Sequence, residues 1–171
     1  MKSHILPAIA AILAFAGAVH ASSMDTEFLP VRTETSEGVI VPDRRGSDFY
    51  KVVTSADGTR IAELYWTPTA EDVLKTEASL ITYLKEARPK ASPDLWQKLP
   101  QYYRQYVGVG CSCRGNKRIW INFIGKDAAA KDGIDWMARP ALIAGGGDRF
   151  FNVTYDVQKG TFSDLSINAP I

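Results

Sequence analysis

Apolar residues recur at two periods along the chain, and the change falls near Gln101. Val73, Leu74, Ala78, Ile81, Leu84 and Ala87 follow helical spacing opposite Glu71, Lys75, Lys85 and Glu86. The segment between Thr69 and Pro89 therefore predicts an amphipathic helix. Thr69 is a suitable N-cap, and Asp72 stands three positions on, where a capping box usually has Glu or Gln. Pro89 closes the helix. Ser92-Pro93-Asp94 predicts one more helical turn, with Ser92 as cap and Pro93 in the first position, ended by Pro100.

Beyond Gln101 the period becomes two. Tyr103, Val107 and Val109 alternate with Arg104, Tyr106 and Gly108, and Ile119, Ile121 and Phe123 with Arg118, Trp120 and Asn122. Phe151, Val153, Tyr155 and Val157 alternate with Asn152, Thr154 and Asp156, and Leu165 and Ile167 with Asp164, Ser166 and Asn168. Four such runs joined by Gly-containing connections predict an antiparallel meander. Upstream, Tyr50–Thr54 and Arg60–Trp66 flank the turn dipeptide Asp57-Gly58, which predicts a hairpin. Residues 22–48 are polar and broken by prolines, with Val39-Ile40-Val41 as the one strand-like run, and read as an extended lead-in that adds an edge strand. The expected class is α+β, one main helix packed on a curved antiparallel sheet of four to six strands, in a single domain over residues 49–171.

The first 21 residues read as a secretory signal peptide. Lys2 supplies the positive start, Ile5–Ala16 the apolar run, and Val19-His20-Ala21 a small-residue cleavage site. Cleavage is preferred to a membrane anchor, because the apolar run is short and ends in Ala-rich sequence. No later run reaches spanning length, so no membrane insertion is expected after cleavage, and the expected location is periplasmic or secreted. Cleavage leaves 150 of the 171 residues, with 19 basic against 19 acidic side chains. That balance, without a basic cluster, argues against nucleic acid as a partner. Both histidines, His4 and His20, leave with the signal. The remaining chain then lacks the imidazole needed for a Ser-His-Asp triad, a Cys-His pair or a His-ligated metal.

The order of one helix followed by four antiparallel strands resembles the cystatin/NTF2-like style of small α+β module. Tyr103–Gly108, Ile121-Asn122-Phe123, Gly145-Gly146-Gly147, Phe151–Asp156 and Gly160–Asn168 also resemble a set of exported bacterial proteins of unassigned function, mainly over the C-terminal half. That resemblance implies a fold and no functional residues. Cystatins act through a Gln-x-Val-x-Gly hairpin, whereas Gln105-Tyr106-Val107-Gly108-Val109-Gly110 carries its last glycine one place late. Gln105 and Val107 are therefore expected to point inward from a strand.

Cys111-Ser112-Cys113 is the most reactive sequence feature. In an exported protein the pair is expected as a disulfide stiffening a turn, and a redox or soft-metal site is the competing reading. Neither His nor Met stands beside it to complete a metal shell, and the Cys-x-x-Cys spacing of thioredoxin chemistry is absent. No metal and no cofactor is expected. Gly145-Gly146-Gly147-Asp148 leads into a strand and so is not a phosphate loop, though Asp148 and Arg149 remain candidates to line a site. Asp127, Asp132 and Asp135, with Trp136, offer the carboxylates and aromatic platform of a glycoside hydrolase acting on envelope polysaccharide. Finally, Tyr106, Arg118, Trp120, Asn122, Asn152, Thr154, Asp164 and Ser166 fall in phase on the outward side of the meander. Aromatic groups interspersed with amides, hydroxyls and charges suit a protein or small ligand of the cell envelope. The expectation is a non-catalytic binding or inhibitory module using that face, with the carboxylate hydrolase and the Cys-x-Cys redox protein as alternatives.

Overall fold

The computed structural model describes residues 27–49, 64–110 and 116–170. The expected signal peptide, the expected turn at Asp57-Gly58 and the Cys111/Cys113 pair lie outside the described residues. Strands β1 (Leu29–Arg32), β2 (Glu37–Val41), β3 (Leu64–Trp66), β4 (Tyr102–Gly110), β5 (Lys117–Gly125), β6 (Phe150–Asp156) and β7 (Thr161–Ile167) form one seven-stranded sheet. Among the described residues four α-helical segments accompany it, α1 (Asp43–Gly46), α2 (Ala70–Ala87), α3 (Leu95–Lys98) and α4 (Lys126–Asp132). The protein is α+β.

The four C-terminal strands form the predicted antiparallel meander, β4 to β7 in sequence order. The sheet as a whole is mixed, which corrects the all-antiparallel expectation. β2 lies parallel to β4, Glu37 opposite Tyr103 through Val41 opposite Val107. The chain returns from β2 to β4 by way of α2, and a long helical crossover is what joins parallel neighbours. β3 continues along the same edge of β4, antiparallel. β2 is therefore interior, flanked by β1 and β4, and Val39, Ile40 and Val41 are buried. The lead-in does supply an edge strand, β1, but its strand-like run Val39-Ile40-Val41 is sheet core.

α2 starts where the sequence predicts. The Thr69 hydroxyl accepts from the Asp72 amide at 3.2 Å, and the Asp72 carboxylate accepts from the Thr69 amide at 2.9 Å. A shorter Asp thus closes the capping box. The helix ends with Arg88 in the left-handed region (φ 37°), its amide bonded to the Leu84 carbonyl, and Pro89 cannot continue the ladder. The buried stripe is Val73, Thr76, Leu80 and Leu84, rotated from the predicted one, so that Ala78, Ile81 and Ala87 face outward. Thr76 is tolerated inside because its hydroxyl donates to the Asp72 carbonyl at 2.8 Å. The following short helix begins at Leu95, two residues later than Ser92-Pro93 suggests, and the Ser92 hydroxyl is engaged across the molecule with Asp148.

Both faces of the central strands are buried. On the α2 side, Tyr106, Ile119, Ile121, Phe123, Phe151 and Val153 pack with Leu80 and Leu84. Phe123 and Phe151 stack across β5 and β6 with centroids 4.0 Å apart. On the other side Val107, Val109, Trp120 and Ile124 meet Phe28, Phe49, Trp136 and Ala141, contributed by the N-terminal segment and the connection after α4.

Candidate functional site

The predicted outward face divides between these two cores. The register sets Trp120 opposite Val107 and Tyr106 opposite Ile121, so Tyr106 and Trp120 point to opposite sides of the sheet. Tyr106 is fully buried under α2, where its hydroxyl donates to Glu77 at 2.9 Å. Burial, reinforced by the Glu77 carboxylate, pushes its phenol well above the ordinary value of 10. Arg104 meets the same carboxylate at 3.0 Å and donates to the carbonyls of Tyr102 and Leu99. This cluster ties helix to sheet.

Trp120, Asn122 and Thr154 are buried on the far side. Phe49 meets Trp120 edge-on at 5.9 Å, and the indole N–H donates to Asn152 Oδ1 at 3.2 Å. The connection after α4 is held down by Gln105. Its amide nitrogen donates to the carbonyls of Trp136 (2.8 Å) and Arg139 (2.7 Å), while its oxygen accepts from Asn122 and the Ala141 amide. Asn122 also donates to the Ala141 carbonyl at 2.9 Å. A buried amide with every position occupied is a fastening, since each unmade bond here would cost about 1–3 kcal/mol. Arg118 and Asn152 are half-buried, and Asp164 and Ser166 are exposed on β7. Asp164 has φ 55° where the β6–β7 register shifts. The expected aromatic-polar face is thus covered at its aromatic centre. Gln105, expected to point inward, does so.

The three carboxylates of the hydrolase reading do not converge. Asp127 and Asp132 occupy the first and last turns of α4, which separates them by about 7.5 Å along the axis and about 140° around it. Asp135 faces Arg139 at 4.0 Å. Trp136 is buried and stacked on Tyr103 at 4.0 Å, so it is no platform for a sugar. Among the described residues no group of three His, Cys, Asp or Glu side chains is placed to hold a metal.

Two concavities lined by described residues bear on the question. One is a polar cleft of 190 Å³ where β4 and β6 begin and β5 ends, lined by Lys98, Gln101, Tyr102, Gly125, Asp127, Asp148 and Arg149. Asp148 accepts from Lys98 and from Ser92, each at 2.9 Å, and its backbone carbonyl accepts from the Tyr102 hydroxyl at 2.7 Å. The Lys98 ammonium and the Ser92 hydroxyl hold the Asp148 carboxyl below its ordinary 3.8, and the Asp148 carboxylate raises Lys98 above 10.5. Burial pushes the Tyr102 phenol well above 10. The glycines before Asp148 form a turn, with Gly146 at φ 94°, where a side chain would also strike the Phe150 ring. They lead through one 3-10 turn into β6, the strand that the sequence predicts after them. Asp148 and Arg149 line the cleft. Lys98 and Tyr102 carry no local sequence signal, because they reach it from a separate segment.

The other is a groove of 470 Å³ between the outer side of α2 and the start of β7. Ala78, Thr82, Tyr83 and Glu86 form one wall and Gly160, Thr161 and Phe162 the other. Tyr83 and Phe162 stack at 4.9 Å, and Phe162 also meets Tyr155 at 4.9 Å. Burial and the nearby Asp164 carboxylate raise the Tyr83 phenol above 10, so it stays a neutral donor. Ala78 reads in sequence as core, and only the rotation of α2 reveals it as wall. Comparison with family models, with curated proteins and with solved structures finds no match for the chain.

Proposed function

We propose that the protein is an exported, non-catalytic binding module whose recognition surface is the groove between α2 and β7, and that its partner is an extended protein segment carrying an aromatic or aliphatic side chain. The observation that carries this reading is the groove's position beside a strand edge. β7 pairs with β6 alone among the described residues, so its outer backbone groups are available for an added strand. Main-chain bonds along such an edge supply affinity, and a neighbouring pocket supplies specificity. Here Ala78 and Gly160 leave room over the Tyr83–Phe162 stack. The absence of histidine beyond residue 20 and the divergence of Asp127, Asp132 and Asp135 support binding over hydrolysis.

Panning a random peptide library against the protein tests this. The expected result is peptides with one aromatic or large aliphatic residue, whose binding slows amide exchange in residues 161–167. Peptides that bind without protecting β7, or a library that yields none, would overturn the reading.

A further inference from the structure

We propose that the polar cleft at the ends of β4, β5 and β6 binds a small primary-amine zwitterion, of the class of a free amino acid or dipeptide, with its carboxylate on Arg149 and its ammonium on Asp127. This site is separate from the groove and does not rest on it. Several of the groups lining the cleft are already engaged. Lys98 and Asp148 neutralise each other, Ser92 bonds Asp148, and the Tyr102 hydroxyl is held by a backbone carbonyl. Others are not. Among the described residues Arg149 bonds only through Nε, to the Gly146 carbonyl at 3.2 Å, which leaves the terminal nitrogens of its guanidinium fork without an acceptor there. The Asp127 carboxylate makes no hydrogen bond or ion pair among the described residues.

Arg149 and Asp127 are opposite charges lining one cleft, yet they do not close on each other to form an ion pair. Arg149 is tethered to its own turn through the Gly146 carbonyl, while Asp127 sits on the first turn of α4. Gly125 lies between them. A Cβ there would come within 2.9 Å of Asp127 Oδ1 and 3.1 Å of the Arg149 carbonyl, so glycine lets both residues approach this closely at the cleft wall. One water needs roughly 10–15 Å³, so 190 Å³ admits a small solute.

The charge pattern selects the ligand. A bare anion attracted by Arg149 also meets Asp127 and Asp148, and a bare cation attracted by Asp127 also meets Arg149 and Lys98. A dipolar ion satisfies both, with a guanidinium fork suited to a carboxylate and a carboxylate suited to an N–H donor. A quaternary amine offers no such donor.

The test is a titration of the full-length protein with L-alanine, L-alanyl-L-alanine, N-acetyl-L-alanine and L-alaninamide, read by calorimetry and by amide shifts at Gly125, Asp127 and Arg149. The two zwitterions differ in the distance between their charges, so the tighter of them identifies the source. We expect a zwitterion to bind, and the analogues lacking either charge to bind about tenfold more weakly or worse. Arg149→Gln and Asp127→Asn should each weaken binding by a similar factor with folding intact. Gly125→Ala, which keeps both charges, should also weaken it, and Ala78→Trp in the distant groove should leave it unchanged. Equal binding of all four compounds, or no shifts at about 10 mM ligand, well above a millimolar Kd, would overturn the proposal, as would variants that titrate like the natural protein.

Discussion

Removing the Glu77 carboxylate leaves the Arg104 guanidinium, 1% exposed, without its ionic partner and the Tyr106 hydroxyl without its acceptor. Breaking a buried pair from one side is strongly unfavourable, whereas replacing the whole cluster by apolar groups need not be. Glu77→Ala is therefore expected to lower unfolding stability by about 3 kcal/mol, measured by urea denaturation, and Glu77→Gln by less. A loss within error of zero would contradict the assignment. The Lys98–Asp148 pair makes a second prediction at this scale. Asp148 is depressed below 3.8, so its contribution is present above that pH and is lost as pH falls through its folded value. Lys98 is raised above 10.5, so its contribution is present below that pH and is lost as pH rises through its folded value. Both shifts predict a stability plateau between those limits. Asp148→Asn should flatten both flanks in pH-dependent denaturation, and an unchanged acid flank would count against the pair. Arg104 and Asn122 also show where sequence reading fails. Each is polar and falls on the side of its strand that the alternation turns outward, yet each is buried and bonded to a group far away in sequence, Arg104 to Glu77 and Asn122 to Gln105 and the Ala141 carbonyl.

Among elements, α2 was the most legible, because cap, period and terminating proline agree on one segment. Its orientation was less so. Apolar positions cover more of the helix than the sheet needs, and sequence cannot say whether Leu80 or Ile81 faces inward. Thr69→Ala removes the hydroxyl that accepts from Asp72 and is expected to cost about 0.5–2 kcal/mol, read as a lower thermal midpoint with the groove unchanged. An unaltered midpoint would mean the cap contributes nothing. The meander was legible as four strands from their alternation. Alternation separates two faces of a strand without saying which of them is covered, and here both are. The connection after α4 has no periodic pattern, so its role as a lid over Trp120 and Asn122 was invisible until Gln105 was seen to hold it. The parallel pairing of β2 with β4 escaped for a related reason, since a crossover is a property of three elements and leaves no mark on Val39-Ile40-Val41 itself.

For the molecule as a whole, covering both sheet faces moves any recognition surface to the margins. The polar cleft lies where several strands end, and the groove lies beside β7, the last strand of the sheet among the described residues. Of the cleft, Asp127, Asp148 and Arg149 stood out in sequence and Lys98, Gln101 and Tyr102 did not, because three separate segments build it. Export belongs to this scale too. N-terminal sequencing of protein recovered from the periplasm or medium of an expressing bacterium is expected to begin at Ser22, and an intact Met1 would contradict the signal-peptide reading.

Two substitutions separate the covered face from the groove most directly. Trp120→Phe alters the centre of the face that the sequence suggested, and Ala78→Trp fills the groove while leaving the buried stripe of α2 untouched. The measurement is the affinity of a library-selected peptide for both variants, with thermal midpoints alongside. The account predicts that Trp120→Phe lowers the midpoint and leaves affinity unchanged, while Ala78→Trp preserves the midpoint and abolishes binding. Loss of affinity in Trp120→Phe with full binding by Ala78→Trp would contradict it.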